Sequence, residues 1–121
     1  MFRVGVIEES IENIEVLKAL NKYFVSQRIQ NIPDDEFPVW HTNEYHVDER
    51  TIESILEILK DNIKLTWYCH AFSTEKMYVV LQGEWFEISL QKDKSWDVMI
   101  AYGTEIAKVE REYLENIPLH V

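Results

Sequence analysis

The sequence predicts an α+β fold, a mostly antiparallel sheet with two principal helices packed on one face, forming a single domain over residues 1–121. Three observations predict it. The stretch Lys64 to Leu90, KLTWYCHAFSTEKMYVVLQGEWFEISL, is rich in Trp, Tyr, Phe, Val and Ile and is broken twice by short polar segments, the pattern of three strands joined by tight turns. Ile52, Ile55, Leu56, Leu59 and Ile63 recur at helical spacing and mark an amphipathic helix that must bury one side. A chain of 121 residues that is 46% hydrophobic, without repeats or low-complexity runs, is long enough for one substantial core.

The central strands fix their own register. Gln82-Gly83 suits a two-residue primed turn, because Gly takes positive φ without steric cost. Counting outward sets Leu81 opposite Glu84, Val80 opposite Trp85, Val79 opposite Phe86 and Met77 opposite Ile88. If Ser73 to Lys76 closes the other hairpin, Phe72 faces Met77 and His70 faces Val79. Alternation then assigns Tyr68, His70, Phe72, Met77, Val79, Leu81, Phe86 and Ile88 to one face, and Trp67, Cys69, Ala71, Tyr78, Val80 and Trp85 to the other. The first face is expected to pack on helices; the second, aromatic one is expected to be covered by something else, equally a helix or the N-terminal strand of the same chain or a partner.

Toward the N-terminus, Phe2 to Ile7 reads as a strand. Ser10 is expected to cap a short helix ending near Leu20, with Ile11, Ile14, Leu17 and Leu20 as its stripe. Alternation from Lys22 to Gln30 predicts a strand; Pro33 to Glu36 is a loop; and Pro38 to Val47 is a further strand pairing with the one before it. Asp48 caps the amphipathic helix. Asp93 or Ser95 caps a last helix carrying Trp96, Met99, Ile100, Ile106 and Ala107, in which Gly103 marks a close approach or an end. Glu110 to Asn116 reads equally as helix or turn, and Pro118 stops whatever precedes it.

Charge and motifs exclude several functions. The net charge of −10 comes from 22 acidic residues against 12 basic ones, with no Lys/Arg cluster, so neither nucleic acid nor an anionic membrane is an expected partner. No apolar stretch is long enough to span a bilayer and no signal peptide is evident, and the single cysteine, Cys69, cannot form an internal disulfide, so a cytoplasmic protein is expected. Three scattered glycines leave no phosphate-cradling loop, and no cofactor is expected. His41, His46, Cys69 and His70 all fall on predicted strands, but His41 and His46 are five apart and Cys69 and His70 adjacent, so each pair points to opposite faces. At most one of each can join a shared site, with acidic residues making up the number, and no metal site is expected. The same geometry disfavours a Cys-His nucleophile. The residues singled out for binding are therefore Trp67, Tyr78, Val80 and Trp85, since aromatic patches favour interfaces.

The segments VGVIEES, TWYCHAF, YVVLQGEWFEI, IAYG and NIP resemble a family of small uncharacterised prokaryotic proteins with a Gly-Val-Ile-x-Glu-Ser opening, a Trp-Tyr-x-x-Phe strand, a Lys-Gly hairpin and a Tyr-Gly…Ile-Pro ending. Gln82 departs from the basic residue of that hairpin, and Leu119-His120-Val121 from the family's Asp-Phe ending. The resemblance implies an α+β fold and a stand-alone protein, and carries no activity with it. The expected function is non-enzymatic binding, to a second copy or a protein partner, through the aromatic face. The alternatives are a small-molecule binder or hydrolase with a His-containing pocket, and an acidic inhibitor or immunity-like protein.

Overall fold

The computed structural model describes residues 1–121. Six strands form one antiparallel sheet: β1 (Phe2–Ile7), β2 (Phe24–Asn31), β3 (Val39–Val47), β4 (Cys69–Phe72), β5 (Met77–Leu81) and β6 (Glu84–Ile88). Their order is β2-β3-β1-β4-β5-β6. The four helices are α1 (Ile14–Leu20), α2 (Ile52–Lys60), α3 (Ser95–Glu105) and α4 (Arg111–Glu115). No helix is long and apolar enough to cross a membrane.

Both central hairpins adopt the register read from the turn, with Val80 opposite Trp85, Met77 opposite Ile88, Phe72 opposite Met77 and His70 opposite Val79. Gly83 has φ of 88°, a left-handed conformation that Gly adopts freely. Its N–H donates to the Lys60 carbonyl at the end of α2, and the Tyr102 hydroxyl of α3 donates to the Gln82 carbonyl at 2.8 Å. One helix from each side thus clasps the hairpin tip.

That clasp corrects the expected layering, because the two principal helices lie on opposite faces. Ile52, Ile55, Leu56 and Leu59 of α2 form one core with Cys69, Ala71, Tyr78 and Val80, whereas Trp96, Met99 and Ile100 of α3 form another with Phe72, Met77, Val79 and Leu81. The physical reason is in β5, where all five residues are buried: a strand apolar on both sides needs cover on both. The aromatic face is therefore no free surface. At Gly103 a side chain would meet Leu114 and Leu81, so this glycine marks a close approach of α3 to α4 and β5.

Two further details differ from expectation. Asn13, not Ser10, caps α1, accepting from the Glu15 N–H at 3.0 Å, while the Ser10 hydroxyl donates to the Ile7 carbonyl inside a short 3₁₀ turn, Glu8–Ser10. The late start rotates the helix: Val16 and Leu20 are buried and Ile14 is exposed. At the other end, Ala107 is buried but Ile106 is exposed beyond the last turn of α3.

Candidate cleft on the sheet

On the face that bears α3, the helix covers β4 to β6 and leaves the β2-β3-β1 side bare. A cleft of about 410 Å³ opens there. Its floor comes from alternate sheet residues, including Arg28, Gln30, Thr42, Gly5 and His70. Phe37 and Trp40 from the β2–β3 connection, Trp67 and Tyr68 before β4, and Tyr113 of α4 supply aromatic walls. The Trp40 and Trp67 rings meet edge-on at 5.0 Å between centroids, and Phe37 meets Trp67 at 5.9 Å. Asp35 fixes this cluster by accepting from the Phe37 N–H at 2.8 Å and the Trp40 indole N–H at 3.3 Å.

Two backbone positions at the rim are strained. Thr66 (φ 73°) and Lys108 (φ 61°) are the only non-glycine residues with positive φ, and both line the cleft. For a β-branched residue such as Thr66 this conformation costs on the order of 1–2 kcal/mol. The Thr66 N–H donates to the Ala107 carbonyl at 2.8 Å, tying the two strained connections together.

Gly5 lets the chain's last residues cross the floor. It sits between Glu44 and His70 in adjacent strands, and a side chain there would come within 3.2 Å of both His70 and Val121. His70 Nε2 lies 3.1 Å from the His120 carbonyl, an acceptor only, so this nitrogen carries the proton. Burial holds the imidazole neutral, its pKa lowered to about 4. The Arg28 guanidinium donates to the Val121 carbonyl at 3.3 Å. Beside the cleft, burial raises the Tyr68 hydroxyl to about 12.

The residues expected to bind gather about one core but form no exposed patch: Tyr78 and Val80 belong to it, and Trp67 and Trp85 pack against it. Tyr78 and Val80 are buried in the core beneath α2, at 4% and 1% exposure. Trp85 is half-buried beside them, its ring edge-on to Tyr78 and its indole N–H 3.4 Å from the Glu57 carboxylate. Only Trp67 reaches the cleft. Its aromatic partners there come from stretches far apart in sequence, and no local pattern joins Trp40, Trp67 and Tyr113.

The histidines and the cysteine separate as alternation required. Cys69 is buried on the α2 side, and burial pushes its thiol up to about 12, leaving it unreactive. His46 pairs with Glu44 at 2.7 Å, and Glu44 also takes a bidentate contact from Arg3. His41 lies with Glu8 and Glu9, their ligand atoms within 4.8 Å of one another, so these three are the residues able to hold a divalent cation. They already satisfy one another and their neighbours. Glu9 accepts from the His41 backbone at 2.7 Å and contacts its Nδ1 at 2.8 Å, and Glu8 accepts from Asn43 and Gln27. The Glu9 contact raises the His41 pKa; burial opposes ionisation of Glu9, but the His41 bonds prevail and lower it. A cation there would have to displace the imidazole proton from Glu9. No family model, no curated protein and no solved structure matches the chain.

Proposed function

We propose that this chain is a non-enzymatic binding protein that holds a small, flat, largely apolar molecule in the cleft between the β2-β3-β1 floor and the aromatic walls. The observation that carries the reading is the meeting of Phe37, Trp40 and Trp67 over an open volume of about 410 Å³, within the roughly 300–1,000 Å³ usual for ligand sites. Strain at Thr66 and Lys108 supports it, because such conformations gather at ligand sites. His70 enters as a neutral floor residue whose proton is engaged by the His120 carbonyl, which favours binding over hydrolysis. The proposal puts the protein in the cytoplasm, where one buried thiol needs no partner.

A library of flat aromatic fragments, screened by the indole N–H resonances of the four tryptophans, tests it. Binders should move the Trp40 and Trp67 signals and leave Trp96, buried in the other core, in place. Trp40→Ala should weaken them by at least about tenfold. Fragments that never shift Trp40 or Trp67, or that bind Trp40→Ala equally well, would refute the reading.

A further inference from the structure

The outer strand β2 has no partner on its outer side, and we infer that its regular part beyond the bulge pairs with β2 of a second copy to form a continuous antiparallel sheet across a two-fold axis at Ile29. Three observations support this, and none involves the cleft's ligand. The first is the direction of the backbone. Ile32 donates to the Pro38 carbonyl of the neighbouring chain segment at 2.7 Å, so by the two-residue period Ser26, Arg28 and Gln30 also turn their backbone groups toward β3. Gln27, Ile29 and Asn31 therefore present theirs outward, in a row with no partner strand.

The second is charge. Residues 16–33 contain no Asp or Glu but include Lys18, Lys22 and Arg28, whereas the whole chain carries −10. Self-pairing along β2 therefore sets no acidic side chain of the strand itself against its own copy, the nearest carboxylate being Glu8, which Gln27 already holds by hydrogen bond. The opposite edge, β6, is guarded: within five residues it carries Glu84 and Glu87, and carboxylates on an edge oppose strand addition.

The third is that a register centred on Ile29 satisfies the side chains. A two-fold axis normal to the sheet sets residues of the same face opposite each other. Centring the pair on Arg28 would oppose two guanidinium groups, and centring it on Gln27 would run the ladder into the irregularity between Phe24 and Ser26. Centring on Ile29 brings that side chain, 60% exposed in one copy, against Ile29 of the second copy. Arg28 then faces Gln30 of the second copy, Gln27 faces Asn31, and all the outward N–H and C=O groups of Gln27, Ile29 and Asn31 pair. Because Arg28 and Gln30 line the cleft floor, the two clefts would adjoin along the new seam.

Sedimentation velocity of the full chain over a concentration series decides the matter. The expected result is a species of twice the 14.5 kDa chain mass. Ile29→Lys, which opposes two ammonium groups at the axis, should weaken its dissociation constant by about 100-fold, while Val98→Lys, at an exposed apolar residue on α3, should leave it unchanged. If Ile29→Lys does not fold by circular dichroism, Asn31→Pro gives the same reading, because it removes an outward N–H and no bond to β3. A wild-type chain that stays monomeric at every concentration overturns the inference, as does a dimer that survives the substitution at β2.

Discussion

The β4-β5-β6 side of the sheet has a helix on each face, whereas the β2-β3-β1 side has α1 on one face and only the cleft and the strip Pro118–Val121 on the other. Side-chain composition follows this difference. Every residue of β4 and β5 is buried, while β2 is exposed along nearly its whole length and carries Ser26, Gln27, Arg28 and Gln30. The β4-β5-β6 side is closed on both faces; β1 and β3 give one face to the core through Phe2, Val4, Val6, Tyr45 and Val47, and on their other face polar groups and aromatic rings remain free to meet another molecule. A strand that must satisfy two cores has little freedom to carry a site.

The largest effect should come from the covered side. Leu81→Ala, at a fully buried residue beneath α3, should cost about 2–5 kcal/mol by urea denaturation, since it removes contacts and leaves a cavity. A cost below about 1 kcal/mol would mean that this half is loosely packed and the contrast between the halves is wrong. Next comes His70, at the boundary between them. The unfolded chain takes up a proton at this imidazole near pH 6.5 and the folded chain only near about 4. The group therefore leaves stability intact above about pH 6.5 and removes up to roughly 3 kcal/mol as pH falls toward 4. His70→Gln keeps a donor for the His120 carbonyl and should flatten that part of the pH–stability curve. A mutant as acid-sensitive as the wild type would place the effect elsewhere.

The same contrast explains what was legible in the sequence. Gln82-Gly83 and the alternation around it determine a register that the structure reproduces, because the hairpin is local and both of its faces are apolar. The layering was not legible: helical spacing in Ile52–Ile63 shows that α2 buries one side, but nothing in it names the face of the sheet it meets. For that reason the sequence leaves open whether the aromatic face is a binding surface or is covered by a helix of the same chain. Tyr78 and Trp85 look alike in sequence whether a helix lies over them or not, and α2 covers Tyr78. The position of β1 between two hairpins, which makes Gly5 the crossing point of the last residues, depends on pairings more than 35 residues apart, from Arg3 with His46 to Gly5 with His70. The cleft inherits that dependence.

Gly83→Ala sharpens the comparison from the hairpin tip. It forces a side chain into φ of 88° and sets a Cβ 2.9 Å from the Tyr102 hydroxyl, so a loss of about 1–2 kcal/mol is expected. Tyr102→Phe, which removes the hydroxyl that bonds the Gln82 carbonyl, should cost less, about 1 kcal/mol, and should lower the additional penalty of Gly83→Ala when the two are combined. Strict additivity would show that the helix does not clasp the turn.

A comparably small stability effect is expected from one of the largest side chains. Trp40 is half-buried on the bare side, where its ring meets Trp67 and its indole N–H reaches Asp35, with open cleft beyond. A tryptophan in a closed core loses about 3–5 kcal/mol on truncation to alanine, but at Trp40 much of the ring faces the opening and little cavity would be created. Trp40→Ala should therefore change the unfolding free energy by only about 1 kcal/mol, while losing fragment binding. Denaturation and fragment titration of the same variant separate the two roles. If it loses as much stability as Leu81→Ala, the aromatic wall is a third core and the bare side of the sheet is structural after all.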